Sequence, residues 1–378
     1  MASPFYTADH EAFRDVVRRF VAREIEPHAQ AWDEQEEFPR ALYRKAAEIG
    51  LIGLGFPEAY GGVAADRFMW LVAVQELARP GSGGVSASLM SHAIGAPPIA
   101  LAARPEVKAR VLPEILSGEK ISALAITEPS GGSDVASLRT TARRQGDHYV
   151  VRGEKTFITS GMRADYYTVA VRTGGPGAGG VSLILIERDS PGFSRTPLKK
   201  MGWWASDTAT LHFDDVRVPA ENLIGEEGQG FKIVMRNFNH ERLTMAAGCT
   251  AFAAVCLDEA TAYAKERQTF GKPLTQHQVI RHKLVDMAQR VAASQAWLEM
   301  LTWRLEQGEN PVAEICMLKN QATQTMAFCA SEAVQIFGGA GFMRGGKVER
   351  IYREVKVNAI GGGTEEIMKD LAGRQMGL

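Results

Sequence analysis

Residues 121–162 read ISALAITEPSGGSDVASLRTTARRQGDHYVVRGEKTFITSGM. The run 121–126 is short and apolar, the pattern of a buried strand. Thr127, Glu128 and Pro129 end it, and Ser130, Gly131, Gly132, Ser133 and Asp134 make a tight polar turn. Glycine lets a ligand approach the main chain, so such a turn offers backbone N–H groups and hydroxyls to a polar group. Strands are expected at 140–144, 148–152 and 155–159, with Gly153 and Glu154 turning the chain between the last two. Periodicity alone leaves an ordinary antiparallel sheet with hydrophilic turns equally open.

Outward from this stretch, residues 1–118 carry helical periodicity. Phe13, Val16, Val17, Phe20, Val21 and Ile25 recur at helical spacing, and Pro27 ends or kinks that helix. Pro39 starts a second, with Leu42, Ala46, Ile49 and Leu51 on its apolar side. Helical pattern resumes at 68–77 and 85–103. Strand pattern continues at 166–172, 181–187 and 208–218. The glycine-rich loop 173–180 does not fit dinucleotide binding, because a strand follows it and phosphate binding needs a helix N-terminus; it is expected to be a flexible hairpin tip. Beyond a linker at 219–230, long helices are expected at 231–267 and 276–307. Gly308 stops the latter, and Pro311 opens a third that ends at Gly338 and Gly339. Short links between long helices favour an antiparallel bundle. The chain therefore divides into 1–118 helical, 119–226 strand-rich and 227–378 helical, an α+β architecture of two or three domains at 378 residues.

Composition narrows the function. A net charge of −1 with 23% charged residues gives no basic excess for nucleic acid. No apolar run is long enough to span a membrane, and the first residues lack a secretory pattern, so a cytoplasmic protein without membrane insertion is expected. The four cysteines, Cys249, Cys256, Cys316 and Cys329, lack CxxC spacing and suit small core positions. The eight histidines show no HxxxH or HExxH pattern, so no metal is expected.

Two motifs, TEPSGGSD at 127–134 and KTFITSG at 155–161, resemble the flavin-binding β-domain of the acyl-CoA dehydrogenase family, where they usually read TEPxAGSD and W/F-I-T-N/S. AEIGLIGLGFPEAYGG at 47–62 and the linker at 219–230 are similar to the same family, so the resemblance covers nearly the whole chain. It implies an N-terminal helical domain, a middle β-domain and a C-terminal domain like a four-helix bundle. It further implies FAD-dependent oxidation of a saturated acyl-CoA to the trans-2,3-enoyl-CoA, with electron-transfer flavoprotein as acceptor, and a homotetramer built as a dimer of dimers. The run 86–96 becomes a candidate wall for the acyl tail.

Removing a Cα proton from a thioester needs a carboxylate base, donors on the thioester oxygen and a hydride acceptor. Many family members carry the base in a Y-E-G-T loop near the end of the chain. Here that loop reads IGGGTEE, and the base position holds Gly362. A minority, resembling isovaleryl-CoA and long-chain enzymes, carry it on a helix in an ERL segment. This chain has Glu241, Arg242 and Leu243 in such a segment. Glu241 is thus the implied base, the alternative being a solvated helix carboxylate paired nearby. Gly362 retains a backbone N–H, which the resemblance places, with a ribityl hydroxyl of FAD, on the thioester oxygen. Ser133, Asn239 and Arg242 match substrate contacts.

For FAD the resemblance implies Leu124, Ile126, Thr127 and Ser133, then Phe157, Ile158 and Thr159. Arg267, Thr269, Phe270 and Gln278, with Gln335, Gly338 and Gly339, match contacts to the FAD of a neighbouring subunit; Thr364 and Glu366 complete the set. Arg267 also reads as the basic end of a helix before a glycine stop. Gly362 keeps a non-catalytic acyl-CoA or flavin-binding protein in play, and a flavin acyl-CoA oxidase is a third reading.

Overall fold

A computed structural model describes residues 3–378. The N-terminal helices are α1 (Ala8–Glu24), α2 (Ala29–Gln35), α3 (Ala41–Glu48), α4 (Arg67–Ala78), α5 (Gly83–Leu89), α6 (His92–Gly95), α7 (Pro97–Ala102) and α8 (Pro105–Leu116). Thr7 caps α1 through His10 N, and Asp66 caps α4 through Met69 N. The helix expected across 85–103 is three short ones. Ser88 and Ser91 turn inward and bond Ser206 and the Ser122 carbonyl, which fixes the breaks against the sheet. Of the proposed acyl wall, those two hydroxyls are therefore already spent.

The strands are β1 (Ser122–Ala125), β2 (Thr141–Gln145), β3 (His148–Thr159), β4 (Tyr166–Arg172), β5 (Val181–Glu187), β6 (Phe193–Pro197), β7 (Thr208–Pro219) and β8 (Leu223–Ile224). They form one sheet in the order β6-β7-β3-β2-β4-β5-β8, with β1 on β4. The sheet is mixed rather than antiparallel, since β1 and β2 both pair β4 in parallel. No turn divides 148–159. Gly153 (φ +136°) sits at a register shift within one continuous strand, pressed against Thr140, so it is a bulge. The loop 173–180 is also more ordered than expected: Arg172 donates to the Gly175 and Gly177 carbonyls, and residues Ala178–Gly180 make a 3-10 turn.

Strand β5 is buried from Val181 to Ile186 and mostly apolar because both its faces are covered. Ile184 and Ile186 join the core shared with α1, α3 and α4, while Leu183 and Leu185 pack with α7, α8 and the start of the next helix. That helix, α9 (Gly230–Glu266), leads through a small hairpin, β9 (Gln268–Thr269) and β10 (Lys272–Pro273), to α10 (Gln278–Glu306), α11 (Val312–Phe337), α12 (Lys347–Ile360) and α13 (Glu365–Gln375). Contrary to the sequence expectation, α9 is long and apolar enough to cross a membrane. Its apolarity serves the bundle: Leu243, Ala246, Phe252 and Cys256 pack against Ile315, Leu318 and Met326 of α11. All four cysteines are free and buried.

Candidate functional site

Helix α9 carries Glu241 one turn before Met245, and the loop between α12 and α13 lies across both. Gly362 has φ +64° and Gly363 φ +106°, conformations that side chains resist. A β-carbon on residue 362 would lie 2.5 Å from Met245 Sδ and 4.0 Å from Glu241 Oε1. The structure thus brings Glu241 and Gly362 together, and only glycine fits the loop beside that helix face.

Glu241 Oε2 is shut from solvent and has no hydrogen-bond partner. Burial pushes this carboxyl up to about 7, while the charges of Arg242 and Lys319 pull it down. The solvated, paired helix carboxylate is therefore not what Glu241 is. Arg242 is 6% exposed. Its Nε donates to the Gly362 carbonyl (3.4 Å) and its Nη1 to Asn239 Oδ1 (3.3 Å). Asn239 in turn donates to Asn310 Oδ1. Two of the three proposed substrate contacts, Asn239 and Arg242, thus have partners inside the protein, and Arg242 anchors the loop. Lys319, on α11, donates to the Gly363 carbonyl at 2.6 Å; sequence reading passed over it because a lone helical lysine is usually solvated.

A second cluster joins the two sequence motifs. Thr156 N donates to the Thr127 carbonyl (2.8 Å) and Lys155 Nζ to the Ile126 carbonyl (2.9 Å) and Glu128 Oε1 (2.8 Å). Glu128 also accepts from Arg139 N and Thr140 N. Burial alone would raise the Glu128 carboxyl, but Lys155 and Thr140 outweigh it and hold it down at about 2. Above this pair β3 bulges a second time, between Lys155 and Ile158, and Phe157 stands out at φ +60° and 70% exposure. Leu124, Ile126, Thr127 and Thr159 are half-buried around it, and Ser133 is exposed. Ile158 is 3% exposed, because the bulge returns its side chain to the core, so only its main chain faces this cluster. An exposed ring on a fixed bulge, flanked by hydroxyls, fits a planar heteroaromatic with a polar edge such as FAD.

The third cluster lies at the far end of the bundle. From Glu241 to Arg267 the helix climbs roughly 39 Å. Tyr263 stacks on Phe337 (4.2 Å between centroids), which sets the β9–β10 hairpin beside the end of α11. Arg267, Thr269, Phe270 and Gln278 follow Tyr263 in the chain, and Gln335, Gly338 and Gly339 flank Phe337, so the stacked pair lies between the two groups. Phe270 is 95% exposed at φ +52° in the hairpin turn, a position that favours Asn or Gly. Phe342 (87%) and Met343 (66%), after the end of α11, are also exposed, which sequence periodicity did not flag. One chain does not unite this cluster with Glu241. Thr364 caps α13 through Ile367 N, and Glu366 is exposed beside it.

Models of the acyl-CoA dehydrogenase N-terminal, middle and C-terminal domains match residues 7–119, 123–216 and 228–377. The chain is 38% identical to an acyl-CoA dehydrogenase of Bacillus subtilis, over 96% of each. It superposes with a TM-score of 0.97 and 47% identity on a probable acyl CoA dehydrogenase from Mycobacterium abscessus, covering 98% of this chain and all of that one. An acyl-CoA dehydrogenase from Bacillus anthracis, complexed with FAD, matches with a TM-score of 0.91 and 30% identity over 98% of this chain and 67% of its own.

Proposed function

The chain belongs to the acyl-CoA dehydrogenase family of FAD-dependent oxidoreductases, and from that premise we propose that it oxidises a saturated medium-chain, long-chain or branched-chain acyl-CoA to the trans-2,3-enoyl-CoA with Glu241 as base. The observation that carries the proposal is the half-buried Glu241 side chain beside Gly362, its Oε2 shut from solvent and unpartnered, with its proton affinity raised towards neutrality. A base of that strength is deprotonated often enough near pH 7 and still accepts a proton readily.

Glu241 takes the proton from the α-carbon, and the Gly362 N–H stabilises the negative charge that grows on the thioester oxygen. Arg242 and Lys319 hold the loop by the neighbouring carbonyls, so the N–H keeps its direction. Leu124, Ile126, Thr127, Phe157 and Thr159 would hold FAD, which when bound supplies the hydride acceptor for the β-carbon. The Arg267–Phe270 hairpin lies roughly 39 Å along α9 from Glu241, which supports FAD shared between subunits and a homotetramer assembled as a dimer of dimers. Electron-transfer flavoprotein is the proposed acceptor, in fatty-acid β-oxidation or branched-chain breakdown.

Anaerobic titration with acyl-CoAs of graded length and branching tests the reading. Loss of oxidised flavin absorbance in the wild type, and its retention in Glu241→Gln despite ligand binding, is the expected result. Perturbed but unreduced flavin in the wild type makes the chain a binding protein. Stoichiometric peroxide in air makes it an oxidase.

A further inference from the structure

We propose that Lys319 is a positioning residue for this reaction: from α11 it pins the glycine loop through the Gly363 carbonyl and sets a positive charge behind the Glu241 carboxylate. The inference rests on Glu241 as base.

Lys319 has no exposed surface, and its Nζ donates to the Gly363 carbonyl at 2.6 Å. The next turn of α11 grips the same stretch: Asn320 Nδ2 donates to the Glu365 carbonyl (2.9 Å) and Thr323 Oγ1 to Glu365 Oε1 (3.3 Å). Gly361, Gly362 and Gly363 have no side chains with which to hold themselves, so the loop takes its shape from α11 and Arg242. A Met at 319 would fill the space equally well, yet would leave the Gly363 carbonyl without its donor.

A buried ammonium on a neutral carbonyl is costly unless an anion faces it. The groups acting on Lys319 are Cys249 and Arg242 from α9, Glu365 from α13 and Cys316 from its own helix, and Lys319 in turn acts on Glu241. Burial raises both thiols, Cys249 to about 12, and keeps them neutral. Glu365 is already bonded by Thr323 and Gln324. His240, beside Glu241, is held neutral, its pKa lowered to about 4 by burial and Arg67. Glu241 Oε2 has no hydrogen bond, and the Lys319 charge, after that of Arg242, lowers the proton affinity that burial raises. The cation thus makes the base easier to ionise.

The test is the pH profile of flavin reduction by acyl-CoA, measured anaerobically in single turnover on the holoenzyme. Lys319→Gln keeps a donor for Gly363 but removes the charge. Its acid limb is expected to move up by about one pH unit, giving roughly tenfold slower reduction at pH 6 and a near-wild-type rate at pH 9. Lys319→Met is expected to show the same shift with a lower plateau, and Lys319→Arg to restore the wild-type limb. Asn320→Ala, which slackens the loop without moving charge, lowers the plateau and leaves the limb in place. An unmoved limb in Lys319→Gln with bound FAD overturns the proposal. If the uncharged variants do not fold, Lys319→Arg decides: a shifted limb with the charge kept also overturns it. Full reduction by Glu241→Gln would instead remove the reading of the base itself, so the two failures are distinguishable.

Discussion

The sulfur of Met245 stands 2.5 Å from the point where a side chain on Gly362 would begin. Helix and loop are complementary here: Met245 and Glu241 occupy the volume that a loop-borne side chain would need. Gly362→Ala should therefore cost roughly 2–4 kcal/mol, from strain at positive φ plus overpacking. Thermal melting checks this, and Met245→Ala in the same chain should recover part of the loss because the two sites couple. A melting temperature unchanged by Gly362→Ala would show that Met245 yields freely.

The Glu241 carboxyl is raised from 4.5 to about 7, first by burial. A base must be deprotonated, so kcat/KM should climb with pH through about 7 and then level off. The same shift sets a stability effect of opposite sense. A folded state that holds its proton more tightly than the unfolded chain loses stability as pH rises from 4.5 through 7. Glu241→Gln should thus melt higher than wild type above pH 7, by the equivalent of about 3 kcal/mol, with the difference gone below pH 4.5. Equal melting curves at pH 8 would contradict it.

Lys155 and Glu128 hold the stretches 127–134 and 155–161 together from within. Lys155→Met leaves a buried carboxylate without its cation, a loss of about 3–5 kcal/mol. FAD release during gel filtration is the sensitive readout, and the variant should lose flavin that the wild type retains. Because the Glu128 carboxyl is lowered to about 2, its contribution is present above pH 4.5 and vanishes as pH falls towards 2. Acid unfolding of Lys155→Met should lack that component.

Phe270 occupies a left-handed turn position that suits Asn. Phe270→Asn should leave the stability of a single subunit unchanged or slightly raised, while weakening assembly and FAD retention. Analytical ultracentrifugation separates the two effects. An assembly state indifferent to this change would place Phe270 outside any interface.

The domain sequence was legible in the chain because long segments of one periodicity bound each other: helical pattern to Leu116, strand pattern to Ile224, helical pattern after Gly230. The pairing of Glu241 with Gly362 was legible only through resemblance, since the two are distant in sequence. The mixed sheet, the bulge at Gly153 and the withdrawal of Ile158 into the core were not legible. Each depends on which strand lies alongside, and local pattern is silent on partners.

By itself the amino-acid order determined the residue types at hand: a glutamate in an ERL segment, three glycines where many relatives carry a carboxylate, and two polar motifs separated by a hairpin. Tertiary structure alone decided what those groups are chemically. Burial on α9 raises the Glu241 carboxyl towards neutrality, and the opposing charges are Arg242 beside it and Lys319 from α11, far along the chain. Proton affinity depends on the dielectric surroundings and on charges within a few ångströms, and neither is a property of the local sequence.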